Sequence, residues 1–420
     1  MKDTRTTIVS RSLPPAHGPF SHAVKAGKWI FSAGMIGVDQ NGGVVGNARG
    51  RADVEAQTRQ AIQNLSAAMK ELQAPLESVG KVNSYITDVR YLDRYDATYR
   101  ELFRAPFPAR ATHGMGLVFD DAVVSVEAIA AASGAPRELR SLALSNHRTA
   151  CAQGGTQLED VVFSSAHTSI DGNGKFIGRG DMRIQAEQAF DNIGATLASA
   201  GLDFPDVINI NVTIPDWFNF DKFNEIYLKY FREPFPARAV MEGKLETEGS
   251  LIAIEVVAAR GKNKRNVDSQ IAGGSRFTLK RRPDTIYLKE LFPTRSPYSH
   301  AVQVDDLVYL CGQIGFDAGN FLVGPSDIRA QTRKTMENHR VCLEALGCQM
   351  NDIVKTHITL SDPRLIQGFN EAYAEFFTPP YPAQSTVVAG LARDRMVVEI
   401  EAIAVVGAAR TAVAVTGPEK

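Results

Sequence analysis

Apolar residues recur along this chain with two periods, one helical and one strand-like, and the same succession runs through three times. Val54, Thr58, Ala61, Ile62, Leu65, Met69 and Leu72 fall three and four apart, the spacing of one buried helix face. This spacing predicts a long helix over 53–73, opened by Asp53 at its N-cap or first turn. Equivalent helices are predicted over 181–200 and 327–346, opened by Asp181 and by Ser326 or Asp327. After the first, Val79, Val82, Tyr85 and Ile86 supply a strand. A short aromatic helix pattern follows in each third: Tyr95, Tyr99, Leu102, Phe103; then Phe223, Tyr227, Tyr230, Phe231; then Phe369, Tyr373, Phe376, Phe377. A proline stops each one. Strand-like apolar runs then occupy 124–130, 252–258 and 398–404.

Motifs set these thirds in register. Phe107-Pro108-Ala109-Arg110 recurs as Phe235-Pro236-Ala237-Arg238 and as Tyr381-Pro382-Ala383-Gln384. Each is followed 17 residues later by a glutamate within the apolar run: Glu127, Glu255 and Glu401. Gly18-Pro19-Phe20-Ser21-His22-Ala23-Val24 parallels Ser296-Pro297-Tyr298-Ser299-His300-Ala301-Val302, and both lead to a strand ending at Gly34 or Gly312. The middle third has no proline–aromatic pair here, and Ala166 stands in place of the glycine. Each unit reads strand, hairpin, long helix, strand, short helix, strand, strand. Two helices cover one face of such a sheet, and the three uncovered faces can bury against each other. The expected units are 1–136, 137–260 and 285–408, with a basic linker at 261–284, read as a solvated tether, and a tail at 409–420.

Composition narrows the function. The 420 residues carry 46 basic and 47 acidic side chains, and 44% are hydrophobic. That balance excludes wholesale disorder and argues against a nucleic-acid partner, whose binding rests on phosphate neutralisation. No apolar stretch approaches the ~20 residues of a membrane span, and the polar start lacks a signal-peptide core. No membrane partner and a cytoplasmic location are therefore expected. Four cysteines without a C-x-x-C pair read as core residues, and His22 and His300 as hydrogen-bonded structural histidines.

Arg110 and Arg238 are candidate carboxylate ligands, because a planar guanidinium matches a carboxylate with two parallel hydrogen bonds. A glutamate in an apolar strand is costly to bury alone, so Glu127 and Glu255 either serve a ligand or pair internally with a lysine or arginine.

The ordered set of these motifs resembles the RidA/YjgF family of reactive intermediate deaminases, over nearly the whole chain and three times. The resemblance implies an α/β (α+β) fold of three chorismate-mutase-like units, an intramolecular pseudo-trimer with a β-barrel-like core and outer helices. It implies ligand clefts between adjacent units and hydrolysis of small carboxylate-bearing enamines or imines to keto acids and ammonia, with no metal or organic cofactor. Arg110 and Arg238 would grip the carboxylate, and Glu127 and Glu255 would position water. Phe20, Tyr298, Gly34, Gly312 and Asn224 would complete the binding sites, and Gln384 with Glu401 would mark a degenerate cleft. The expected partner is the small imine, enamine or keto acid, with the chain functional as a monomer and further association left open. RNA cleavage, also associated with the family, gains little support from the balanced charge. Two other functions fit the resemblance: a pathway enzyme of the chorismate-hydrolysing kind, and a ligand-binding or regulatory protein without chemistry.

Clefts built from two units admit two cyclic orders. One joins Arg110 to Tyr298 and Arg238 to Phe20, leaving Gln384 without an aromatic; the other joins Arg238 to Tyr298 and Gln384 to Phe20. The first confines both defects to one cleft and is the expected order.

Overall fold

The computed structural model describes residues 5–10, 12–48, 51–132, 140–142, 153–261, 263–269, 284–294, 296–411 and 413–416. Each third holds a long and a short helix: α1 (Val54–Glu71) and α2 (Leu92–Leu102), α3 (Met182–Ser199) and α4 (Phe220–Tyr230), α5 (Ile328–Ala345) and α6 (Ile366–Ala374). The long helices start where the sequence predicts, because Asp53, Asp181 and Asp327 each accept hydrogen bonds from two backbone N–H groups of the first turn. Their apolar stripes pack on one sheet face, as Ile62 and Leu65 do with Val124 and Val126.

In the first unit, Val124–Ala131 runs antiparallel to Val79–Ile86, which pairs in parallel with the edge strand Ala109–Gly114. The parallel step requires a crossover, and α2 supplies it. The second unit repeats the pattern with Ala253–Ala259, Val207–Ile214 and Ala237–Glu242, and the third with Val398–Val405, Ile353–Leu360 and Ala383–Val388. The inner faces share one core, in which Trp29 and Phe31 meet Val161 and Phe163 of the second unit and Val302 and Tyr309 of the third. Among the described residues the three main sheets have eight, six and eight strands around that core and do not close into a continuous barrel.

The expected tether and tail both contain structure. Lys264–Ser269 is a strand paired with Ala301–Val304 and with Thr285–Leu288, so part of the basic segment belongs to the third sheet. Its buried Val267 and Asn266 are hidden in the sequence by flanking basic residues. Val413–Thr416 of the tail pairs in parallel with Thr6–Val9. The 136/137 boundary, most of the basic linker (270–283) and Cys151 lie outside the described residues. Cys311, Cys342 and Cys348 are buried free thiols. No helix among the described residues is long and apolar enough to cross a membrane.

Candidate functional site

Each unit lays its Pro-Ala-Arg (or Pro-Ala-Gln) edge strand against the N-terminal segment of the next. The Arg110 backbone N–H donates to Ser165 Oγ at 3.0 Å, and its carbonyl accepts from Ala166 N–H at 3.0 Å. Ser299 N–H donates to the Pro236 carbonyl at 3.1 Å, and Ser21 N–H to the Pro382 carbonyl at 3.0 Å. The order is therefore first to second, second to third, third to first. This reverses the expected pairing: Arg238 meets Tyr298 and Gln384 meets Phe20, while Arg110 docks on Ser165 and Ala166, where the second unit's N-terminal segment carries no proline–aromatic pair. Economy of defects is no constraint on docking; the match between edge strand and N-terminal segment sets the order.

The cleft between the second and third units encloses a cavity of about 320 Å3. Arg238, only 4% exposed, places its guanidinium 5.0 Å from the Tyr227 ring centre and 5.6 Å from those of Phe220, Phe223 and Tyr298. The spacing of aromatics on α4 creates this cradle. Arg238 Nη1 donates to Asn224 Oδ1 at 2.8 Å, and among the described residues it makes no ion pair. The third unit contributes Tyr298, Gly312 and Glu399 to the same cavity, whose charged lining also includes Arg393 and Asp221. Burial, reinforced by the nearby Glu401 charge and opposed by Arg238, pushes the Glu399 carboxyl up to about 8. A neutral acid at physiological pH and a fixed cation thus face one small cavity.

The other two clefts differ. Arg110 is buried in an ion pair with Asp96 at 2.6 Å, where the second unit has the neutral Asn224. Asp96, with Glu246 adding to the field, neutralises Arg110, whereas Arg238 has no such carboxylate partner among the described residues. At the third interface Gln384 lines a cavity with Phe20, Gly34 and Asn370.

Glu127 and Glu255 do not stand beside the arginines, and Glu401 does not stand beside Gln384. All three point into the interior where the sheets converge. Lys355 of the third unit pairs with Glu127 at 2.7 Å, and Lys81 of the first unit pairs with Glu255. Burial opposes ionisation of Glu127, but Lys355 prevails and holds its carboxyl down to about 2. His357 Nδ1 lies 3.4 Å from Glu401. Glu127 and Glu255 are internal ion-pair partners, the second of the two roles open to a carboxylate in an apolar strand. His22 and His300 are structural too: each faces a backbone carbonyl, Pro14 at 2.9 Å and Phe292 at 3.2 Å, and burial pushes His300 down to about 4.

Sequence reasoning missed Glu399. It lies two residues before Glu401 on the same strand face, about 7 Å nearer the strand end at ~3.3 Å rise per residue. The corresponding positions hold Ser125 and Ala253, so the repeat comparison passed over it. The signal was present: two glutamates at i and i+2 in an apolar run need two separate partners. Only one is the interior set.

The family described as Endoribonuclease L-PSP matches the chain at residues 10–132, 148–260 and 289–406. The 2-iminobutanoate/2-iminopropanoate deaminase of Mus musculus is 39% identical over 112 residues, 26% of this chain and 82% of that protein. The protein of the same name from Dermatophagoides farinae is 41% identical over 113 residues, 26% of this chain and 86% of that protein. A chorismatase crystal structure superposes with a TM-score of 0.55 over 78% of this chain and 93% of that one, at 15% identity, a likeness of fold alone. With three matches that cover most of its length, the chain belongs to the Endoribonuclease L-PSP (RidA/YjgF) family as three tandem units in one polypeptide.

Proposed function

We propose that the cleft between the second and third units hydrolyses a small carboxylate-bearing imine or enamine to a 2-keto acid and ammonia. The observation that carries this reading is the meeting of Arg238 and the buried Glu399 carboxyl, from two units, over one cavity. The names of the deaminase relatives agree with it. A substrate carboxylate on Arg238 forms charge-assisted hydrogen bonds, each worth roughly 1.5–3 kcal/mol, and Tyr298 packs beside it. Asn224 fixes the guanidinium without neutralising it. Glu399 donates its proton to the imine nitrogen, which makes the carbon electrophilic. The carboxylate so formed takes a proton from water as that water's oxygen bonds to carbon. A second transfer through Glu399 moves the hydroxyl proton of the adduct to its amine; the C–N bond breaks, ammonia leaves and the C=O bond forms. An enamine enters the same route by protonation at carbon.

Ammonia release from enzymatically generated 2-aminoacrylate tests the reading. Glu399→Gln keeps the size of the side chain and lowers kcat by about 10²–10⁴-fold, the usual worth of a positioned acid–base group. Unchanged turnover in Glu399→Gln would refute the role of Glu399.

A further inference from the structure

The cleft between the third and first units is not an empty relic of the same site. It encloses about 220 Å3 lined by Phe20, Met35, Val38, Phe119 and Ile366. Among its lining residues there is no arginine, lysine, aspartate or glutamate. Its two histidines are His17 and His22, and burial lowers the pKa of His22, which also faces the Pro14 carbonyl. Asn64 is satisfied: its amide donates to the Ile36 and Val38 carbonyls and its oxygen accepts from Gln60. Two buried polar atoms of the lining are left without a partner among the described residues, Gln384 Nε2 and Asn370 Oδ1. Gln384 is 7% exposed. An unpaired buried amide is costly, so a donor and an acceptor held open in an apolar cavity describe a complementary ligand.

We infer that this cleft binds an uncharged small molecule with an apolar body and a carboxamide or lactam head. The head's carbonyl accepts from Gln384, its N–H donates to Asn370, and the body lies against Phe20 and Phe119. Either amide can turn over and exchange donor for acceptor, and a head that carries both serves either arrangement. A carboxylate is rejected because its charge would be buried without a cation. The site is independent of the Arg238 cleft and of the reaction proposed there.

Benzamide and benzoate, isosteric and differing in charge, are the probes, titrated calorimetrically into the full-length protein; the two are compared in the Arg238→Ala background, where the other cleft lacks its clamp for benzoate. Benzamide binds at least about tenfold more tightly than benzoate, a gap of about 1.4 kcal/mol. Gln384→Leu abolishes benzamide binding, Phe20→Ala weakens it, and Arg238→Ala leaves it unchanged. Gln384→Arg reverses the preference towards benzoate, a gain that a misfolded variant cannot produce. Three results would each overturn the inference: no benzamide binding at millimolar concentration, equal affinity for the two probes, or benzamide binding lost in Arg238→Ala and kept in Gln384→Leu.

Discussion

A Cβ atom at position 312 would stand 2.0 Å from Oε1 of Glu399, so glycine there is a condition for the acid's position. The obstructed atom is the end of a side chain, which can swing aside at little cost to the fold. Gly312→Ala is accordingly expected to lower kcat severalfold or more while thermal unfolding stays close to wild type; a fully active variant would mean that Glu399 need not occupy this position. The same logic of single residues separates the two arginines. Asp96 and Asn224 occupy equivalent places on α2 and α4, and the difference of one oxygen for one amide decides whether the guanidinium is already neutralised. That one difference separates two units that share the same Pro-Ala-Arg motif.

At the scale of strands and helices, the interior charges form an incomplete ring. Val79–Ile86 and Ile353–Leu360 each send a lysine, Lys81 and Lys355, to a glutamate of the neighbouring unit. The equivalent position in Val207–Ile214 is Asn209, which lines the same interior as Glu401 without a charge to offer it. Glu401 therefore helps to keep Glu399 protonated. Asn209→Lys is expected to offset that field and lower the Glu399 pKa from about 8. Since the proposed acid works protonated, kcat/KM falls as pH rises through this value, and the variant's falling limb moves to lower pH. A limb that stays in place would remove Glu401 from the account. Stability follows the same sign: a carboxyl raised above its ordinary 4.5 stabilises the fold at low pH, and that contribution is lost as pH rises through about 8. Glu127 runs the other way. Its depressed pKa stabilises the fold above 4.5, and this is lost as pH falls through about 2. Lys355→Met leaves Glu127 buried and unpaired and is expected to cost roughly 3–5 kcal/mol in denaturant unfolding at neutral pH. The deficit narrows on acidification, whereas a pH-independent deficit would point to lost packing alone.

For the whole molecule, fusion of three units permits three unequal clefts: one with cation and acid, one with its arginine consumed by Asp96, and one neutral. The number of units, the six helices and the central strands were legible in the sequence, because period and capping residues agree at each start. The cyclic order was not, since it depends on which N-terminal segment fits which edge strand. Nor was the strand Lys264–Ser269, whose alternation is masked by basic neighbours. The glutamates misled for a further reason. Glu127, Glu255 and Glu401 recur in all three units and face the interior where all three sheets converge, whereas Glu399 occurs once and faces a single cleft. Repetition within a fused chain tracks the shared core more closely than the chemistry.

Confinement of turnover to the cleft between the second and third units is checked by ammonia release from 2-aminoacrylate in two arginine variants. Arg238→Ala removes the cation cradled by the α4 aromatics; Arg110→Met with Asp96→Asn replaces the equivalent arginine of the first unit together with its buried partner, so that no charge is left stranded. A loss in kcat/KM on the order of 10²-fold is expected for Arg238→Ala, the worth of one strong charge-assisted contact or two weaker ones, with wild-type turnover for the double variant. Equal losses in both, or a loss confined to the Arg110 variant, would contradict that confinement.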